Sequence, residues 1–166
     1  MTARVAILMG SDSDLERLLP AVQTLRDFGV EPTVRVLSAH RTPEQATGFA
    51  AQARENGLQV LLCAAGGAAH LAGVIAAHTT LPVLGIPLDN PPLGGMDALL
   101  ATVQMPGGVP VGTLGVGRGG PVNAALLALR ILAVSDAELA ARLDAFRDQQ
   151  RDKVLAKDAG LTSKLS

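Results

Sequence analysis

The chain has 166 residues, with 14 Lys and Arg against 15 Asp and Glu, and 48% of its residues are hydrophobic. This length suits one domain with a substantial buried core, and a charged share of only 17% excludes a disordered chain. The balanced charge and the lack of a basic run argue against nucleic-acid binding. Without a long apolar span or a signal-peptide pattern, we expect no membrane association and a cytoplasmic location.

The core is expected to consist of small and aliphatic side chains, because aromatic residues make up only 2% of the chain. Such a chain carries more apolar surface than one domain of this size needs, so we expect a homo-oligomer that buries the surplus between subunits. The single cysteine, Cys63, lies in an apolar run and is interpreted as a buried structural thiol.

Predicted strands and helices alternate along the chain. Apolar runs predict strands at residues 4–9, 33–37, 60–65, 83–86 and 111–116. Capping boxes, helix-stopping glycines and helical periodicity predict helices at about residues 15–27, 42–56, 68–77, 96–103, 122–134 and 135–157. Residues 88–95 contain Pro-Pro and Gly-Gly pairs and are predicted to form a long loop that could cover a site.

Five strand-helix alternations predict an α/β fold, a doubly wound parallel sheet of the flavodoxin-like three-layer αβα kind with an extra C-terminal helix. We expect a single domain over residues 1–166, with the α/β core in about 1–134. The helix at 135–157 lies beyond the five units, and we expect it to pack on a neighbouring subunit.

Glycine- or serine-rich turns follow the first three predicted strands, at residues 10–14, 38–42 and 66–70. The carboxyl ends of parallel strands open on one crevice, where helix N-termini present free N–H groups to an anion. The expected occupant is therefore a phosphorylated small molecule.

His40 and Arg41 lie side by side in the second of these turns. An imidazole can move protons near neutral pH, and a guanidinium can grip a phosphate or carboxylate with two hydrogen bonds. This pairing of a proton carrier with an anion clamp indicates an enzyme.

Several of the crevice residues also have a simpler interpretation. Ser11, Ser13 and Asp14 could either cap a helix or bind a ligand, and His70 could either cap its helix or contact a ligand. His78 is interpreted as structural, since it ends a helix whose last carbonyls it can contact. The acidic residues of the first turn are too few for a metal site, and no dinucleotide or Walker motif is present.

Four segments of the sequence together are typical of a known family. They are Met9 to Asp14, Ser38-Ala39-His40-Arg41-Thr42-Pro43, Gly66-Gly67-Ala68-Ala69-His70-Leu71, and residues 103–113. With these motifs in order, the chain resembles the class I N5-carboxyaminoimidazole ribonucleotide mutases of purine biosynthesis, the PurE family, from about residue 4 to residue 157.

The resemblance implies an isomerase that moves a carboxylate from the exocyclic N5 of an imidazole ribonucleotide to ring carbon C4. It implies no ATP, metal or organic cofactor, and assembly as a homo-octamer. By their match to the family, His40 is expected to be the general acid/base of a decarboxylation and recarboxylation. The residues expected by the same match to bind substrate are Ser11, Asp14, Ser38, Arg41, Gly66, Gly67, His70 and Leu71.

Two positions depart from the family pattern: Ala72 stands where Pro is common, and residues 88–92 replace a Ser/Ala-rich segment. Two alternatives stay open at this point. One is a class II carboxylase that uses CO2 and aminoimidazole ribonucleotide, although the loop at residues 66–71 favours class I by resemblance. The other is a flavodoxin-like module that binds a nucleotide without catalysis.

Overall fold

The computed structural model describes residues 4–165 and contains one five-stranded parallel sheet. Its strands are β1 (Val5–Met9), β2 (Thr33–Val36), β3 (Val60–Ala65), β4 (Val83–Pro87) and β5 (Gly112–Thr113). Its α-helices are α1 (Leu15–Asp27), α2 (Pro43–Gln52), α3 (Leu71–Ala76), α4 (Met96–Val103), α5 (Gly119–Ala133) and α6 (Ala137–Leu165), and a short 3₁₀ turn covers Asp12–Asp14.

The strand order is β2-β1-β3-β4-β5, and all four pairings are parallel. This is the flavodoxin-like order, in which the chain leaves β1 toward one edge of the sheet and later returns to build toward the other edge. Right-handed crossovers then place α1 on one face of the sheet and α2 to α4 on the other. The predicted fold class is therefore confirmed.

The central strands β1 and β3 are apolar throughout because both of their faces are covered. Every residue of β1 is buried, and Ile7 lies opposite Leu62 in the register. On one face Ala46 and Ala50 of α2 and Ile75 of α3 pack with the strand residues in a single cluster. Alanine at these positions lets the helices approach the sheet closely, as the aromatic-poor composition predicts.

Several predicted elements differ in extent from the observed ones: α2 ends at Gln52 instead of residue 56, and α5 starts at Gly119 instead of residue 122. β5 contains two residues instead of six. α3 starts at Leu71 instead of residue 68, because Gly67 (φ +61°) and Ala69 (φ +45°) hold the preceding turn in the left-handed region. The last helix extends to Leu165, past the expected end at residue 157.

The backbone divides into two compact units, one ending at Ala128 and the other beginning at Leu129. Within the second unit, Asp136 caps the last helix by accepting a hydrogen bond from the Leu139 N–H at 3.1 Å. That helix carries i,i+3 ion pairs such as Arg151 with Asp148, 3.0 Å apart. The expectation of a single domain stays a prediction. Across residues 4–165, no helix is both long and apolar enough to cross a bilayer.

Candidate active site

A cavity of about 250 Å³ lies at the carboxyl edge of the sheet, where the loops after β1, β2, β3 and β4 meet. This is the crevice that the strand order predicts. Its lining residues are Gly10, Ser11, Ser13, Asp14, Ser38, Ala39, His40, Arg41, Ala65, Gly66, Ala69, His70, Leu71 and Asn90.

The two serine side chains of the turn after β1 form hydrogen bonds within that turn. Ser11 Oγ caps the 3₁₀ turn by accepting from the Ser13 N–H at 3.3 Å, and Ser13 Oγ lies 2.8 Å from Ser11 Oγ. Asp14 makes no side-chain cap bond. Burial raises the pKa of the Asp14 carboxyl above its ordinary value of 3.8, and the charge of Arg17 opposes this rise only in part. Ser11 is therefore both a cap and a cavity residue, whereas Asp14 is not a side-chain cap.

The turn after β2 is braced by Ser38 and Thr42, and the three residues between them line the cavity. Ser38 Oγ accepts from the Arg41 N–H at 3.1 Å, and Thr42 Oγ1 accepts from the Ser38 N–H at 2.9 Å. The Arg41 guanidinium donates to the Gly10 carbonyl at 3.0 Å and so ties this turn to the one after β1. His40 and Arg41 are both exposed in the chain.

The turn after β3 brings a second imidazole to the first. Its left-handed residues, Gly67 and Ala69, direct the chain so that Nδ1 of His70 lies 2.7 Å from Nε2 of His40. The rings meet edge to face, at 85° and with 4.8 Å between centroids. The His70 side chain does not cap α3, and its ring contacts His40 instead.

Comparisons with known proteins identify the family of the chain. The family described as AIR carboxylase matches residues 4–153. The chain belongs to this family. The resemblance inferred from the sequence motifs is thereby confirmed.

Two curated relatives of this AIR carboxylase family member carry the same name. The protein of Brucella melitensis is 51% identical over 93% of this chain and 95% of its own length, and that of Escherichia coli K12 is 52% identical over 92% and 90%. Both are named N5-carboxyaminoimidazole ribonucleotide mutase. The crystal structure of Treponema denticola PurE is similar with a TM-score of 0.82 and 27% identity, over 95% of this chain and 97% of that one.

The cavity contains all but one of the site residues predicted from the sequence. The exception is Gly67, which does not line the cavity. Its left-handed backbone conformation bends the turn after β3. Leu71 lines the cavity with its side chain in the core, where it is 2% exposed. Asn90 was missed: the sequence indicates the long loop after β4 but offers no motif that selects this residue.

Cys63 and His78 lie outside the cavity lining, in agreement with their structural interpretation. Cys63 is buried in the core, and this burial raises the pKa of its thiol far above the physiological range. His78 Nδ1 lies 2.9 Å from the Val74 carbonyl, so the ring satisfies the end of α3.

A second cavity, of about 510 Å³, lies on the far side of the loop after β4. It is larger than the first but holds no imidazole, so we place the chemistry in the smaller one. Its lining residues are Glu16, Arg17, Pro20, Pro87, Leu88, Asp89, Gly117, Arg118, Pro121 and Val122. Among residues 4–165, no three His, Cys, Asp or Glu side chains are grouped as metal ligands would be.

Proposed function

We propose that this chain converts N5-carboxyaminoimidazole ribonucleotide to its C4-carboxylated isomer, an isomerase step of purine biosynthesis. The membership in the AIR carboxylase family and the names of relatives about 50% identical support this activity. The observation that carries the proposal is the contact between His40 and His70 at the mouth of a crevice that also holds Arg41.

The reaction requires two proton transfers, one to N5 and one from C4, and a single histidine can carry out both. His40 gives a proton to N5 as the N5–carboxyl bond breaks, which releases CO2 and the neutral amine. C4 then attacks the trapped CO2, and His40 removes the C4 proton, so the ring regains aromaticity and the histidine regains its proton. Acid–base catalysis of this kind contributes roughly a hundred- to ten-thousandfold.

His70 suits the role of a neutral partner for His40. A hydrogen bond between Nε2 and Nδ1 needs a hydrogen on only one of these two atoms. When His70 carries its hydrogen on Nε2, its Nδ1 accepts from His40 Nε2–H, and Nδ1 of His40 is left to exchange the proton with substrate. The same hydrogen bond then holds the His40 ring in both protonation states.

The part of the cavity formed by the turns after β1 and β2 suits the ribonucleotide phosphate. Arg41 brings a guanidinium to the turn after β1, where Ser11 offers a hydroxyl and Ser38 lies close by. A guanidinium with hydroxyl donors is a common phosphate site. We therefore propose Ser11, Ser38 and Arg41 as phosphate ligands, and Asp14, Gly66, His70 and Leu71 as further substrate contacts, with Gly67 shaping their turn.

The site also needs closure, because released CO2 must not escape before C4 captures it. Both imidazoles are exposed in the single chain. On α4, Met96, Leu100 and Val103 form an apolar stripe whose side chains are 55%, 50% and 49% exposed. We propose that such surfaces pack between subunits of a cytoplasmic homo-octamer, and that neighbouring subunits help to close the cavity.

The test of this function is conversion of synthetic N5-carboxyaminoimidazole ribonucleotide by the purified protein without ATP or bicarbonate. The C4-carboxylated product should form at an enzymatic rate. In a second arm, aminoimidazole ribonucleotide and bicarbonate replace that substrate. A clear preference for the second arm would assign the chain to carboxylation, and binding without turnover in both arms would assign it to ligand binding alone.

A further inference from the structure

Asn90 is the one cavity residue that comes from the loop after β4. It is half-buried, and it lies in the loop between β4 and α4. No role has been assigned to it so far, although its amide shares the cavity with His40 and His70.

The Asn90 amide has a fixed orientation. Arg17 of α1 donates from Nη1 to Asn90 Oδ1, and the same nitrogen lies 3.6 Å from Oδ1 of Asp89. An arginine has only hydrogen-bond donors, so it selects the oxygen of the amide. The NH2 group of Asn90 must therefore point away from Arg17.

The NH2 group lies against the turn after β3. A Cβ atom built on Gly66 would collide with Asn90 Nδ2 and Cγ, so the absence of a side chain at residue 66 makes room for the amide. The same turn continues to Ala69 and His70, which also line the cavity.

The loop that carries Asn90 is anchored at both of its ends. The Leu88 N–H donates to the Ala65 carbonyl at 3.0 Å, and the Asn90 N–H donates to the Leu88 carbonyl at 3.0 Å. At the other end, a Cβ on Gly95 would lie 2.9 Å from Asp89 Cα, which shows how closely the two ends of the loop pack. The amide is thus placed by backbone contacts as well as by Arg17.

The strand order fixes where in the cavity Asn90 lies. Along the sheet edge, the loops follow as Arg41 after β2, Ser11 after β1, His70 after β3 and Asn90 after β4. With the phosphate at Arg41 and Ser11 as proposed, the reacting base would extend toward the His40–His70 contact, beside the loop after β4 that carries Asn90.

We infer that Asn90 is a further substrate-contacting residue, whose Nδ2–H donates to the migrating carboxylate while Arg17 positions the amide. This inference rests on the proposed function. A neutral amide can donate both to a carboxylate and to the CO2 formed from it, whereas a cation would hold the charged form too firmly.

The experiment compares two ligands that differ in the carboxylate: 4-carboxy-5-aminoimidazole ribonucleotide and aminoimidazole ribonucleotide. Their affinities are measured by calorimetry for the wild type, N90A, N90D and N90S. We expect N90A to weaken binding of the carboxylated ligand by roughly 10- to 100-fold, the range of a hydrogen bond to a charged group, and to leave the uncarboxylated ligand within about twofold. N90S keeps a small hydrogen-bond donor, so its affinity for the carboxylated ligand should lie between those of N90A and the wild type.

N90D separates a donor from a structural tether. Aspartate has the shape of asparagine and keeps an oxygen for Arg17, so the loop anchor and the thermal stability are retained. It presents a second oxygen to the substrate carboxylate instead of an N–H, so the carboxylated ligand should bind at least as poorly as to N90A. The matched control is N56A, since Asn56 is exposed in the turn before β3 and outside the cavity lining.

Equal losses for both ligands in N90A, or normal binding of the carboxylated ligand to N90D, would overturn the inference. Wild-type turnover of N5-carboxyaminoimidazole ribonucleotide is measured beside these titrations. If the wild type converts N5-carboxyaminoimidazole ribonucleotide but the Asn90 variants bind both ligands normally, only the inference fails. If the wild type does not turn over, the proposed function fails.

The positioning role of Arg17 is tested through Asn90. R17M should weaken binding of the carboxylated ligand in the wild-type background and should have a smaller effect in N90A, because the amide it orients is then missing. An equal effect of R17M in both backgrounds would show that Arg17 acts by another route.

Discussion

Nε2 of His40 and Nδ1 of His70 lie 2.7 Å apart, although 30 positions separate the two residues in the chain. The turns after β2 and β3 bring them together because β1 alone lies between those two strands. We propose different tasks for the two rings: His40 exchanges a proton with the substrate, and His70 holds the His40 ring in place.

Replacing His40 tests the proton-transfer step. H40N should bind the substrate and lose turnover by at least about a hundredfold, since asparagine can fill the site but cannot carry the proton. Steady-state kinetics and ligand titration measure the two effects separately. The matched control is H78N, because the His78 ring contacts the Val74 carbonyl and lies outside the cavity lining. A normal turnover rate in H40N would contradict the mechanism.

Replacing His70 tests its role as the holder of His40. H70L removes the acceptor and should lower kcat roughly tenfold or more, with a smaller effect on KM. H70N places an amide oxygen near the former Nδ1 and should recover part of the loss. Because the His70 ring is exposed and makes no cap bond to α3, both variants should unfold at nearly the wild-type temperature. Equal kcat values in H70L and the wild type would show that the contact does not serve catalysis.

The sequence predicted much of this site because its signals are local. Val60–Ala65 and Met96–Val103 were predicted with their observed bounds, the first from a continuous apolar run and the second from its flanking breakers. The turns after the first three strands were recognised by their glycines, serines and helix caps. Parallel strands place such turns at one edge, so the cavity followed from the order of the elements.

The parts that were missed depend on contacts between distant segments. Ala69 adopts φ +45°, which alanine rarely does. Local sequence signals therefore could not predict that α3 starts only at Leu71. β5 has only two ladder residues because its pairing with β4 ends after Thr113. The side chain of Asn90 is oriented by a hydrogen bond from Arg17 in α1, which lies 73 positions away in the chain.

Asp14 should limit stability at neutral pH. Its pKa is raised, so folding favours the protonated carboxyl and the ionised form costs stability above the raised pKa. D14N removes that charge and should raise the unfolding temperature at pH 7 by up to about 3 °C. As the pH falls through the raised pKa toward the ordinary value of 3.8, wild-type Asp14 becomes neutral and the difference should disappear.

Thermal unfolding of D14N and the wild type from pH 7 to pH 3 measures this effect. A variant that is less stable than the wild type at pH 7 would show that the Arg17 charge outweighs the burial of Asp14. D14N should also bind the substrate more weakly than the wild type in a ligand titration, because the Asp14 carboxyl lines the cavity.

The apolar stripe on α4 should hold subunits together. L100E places a charge in the middle of the stripe formed with Met96 and Val103, where the wild-type leucine is 50% exposed. Light scattering should show an octamer for the wild type and smaller species for the variant. Circular dichroism should be unchanged, since the side chain lies outside the core of the chain. An octamer of undiminished stability in L100E would place the interface elsewhere.

The central claim is that the carboxylate moves within one bound substrate molecule. Substrate labelled with ¹³C in its N5 carboxylate is converted in a solution of unlabelled bicarbonate, and the product is analysed by mass spectrometry during the first turnovers. The account predicts that nearly all of the product carries the label at its C4 carboxylate. Product that is mostly unlabelled would show that free CO2 is the source of the carboxylate and would contradict the account.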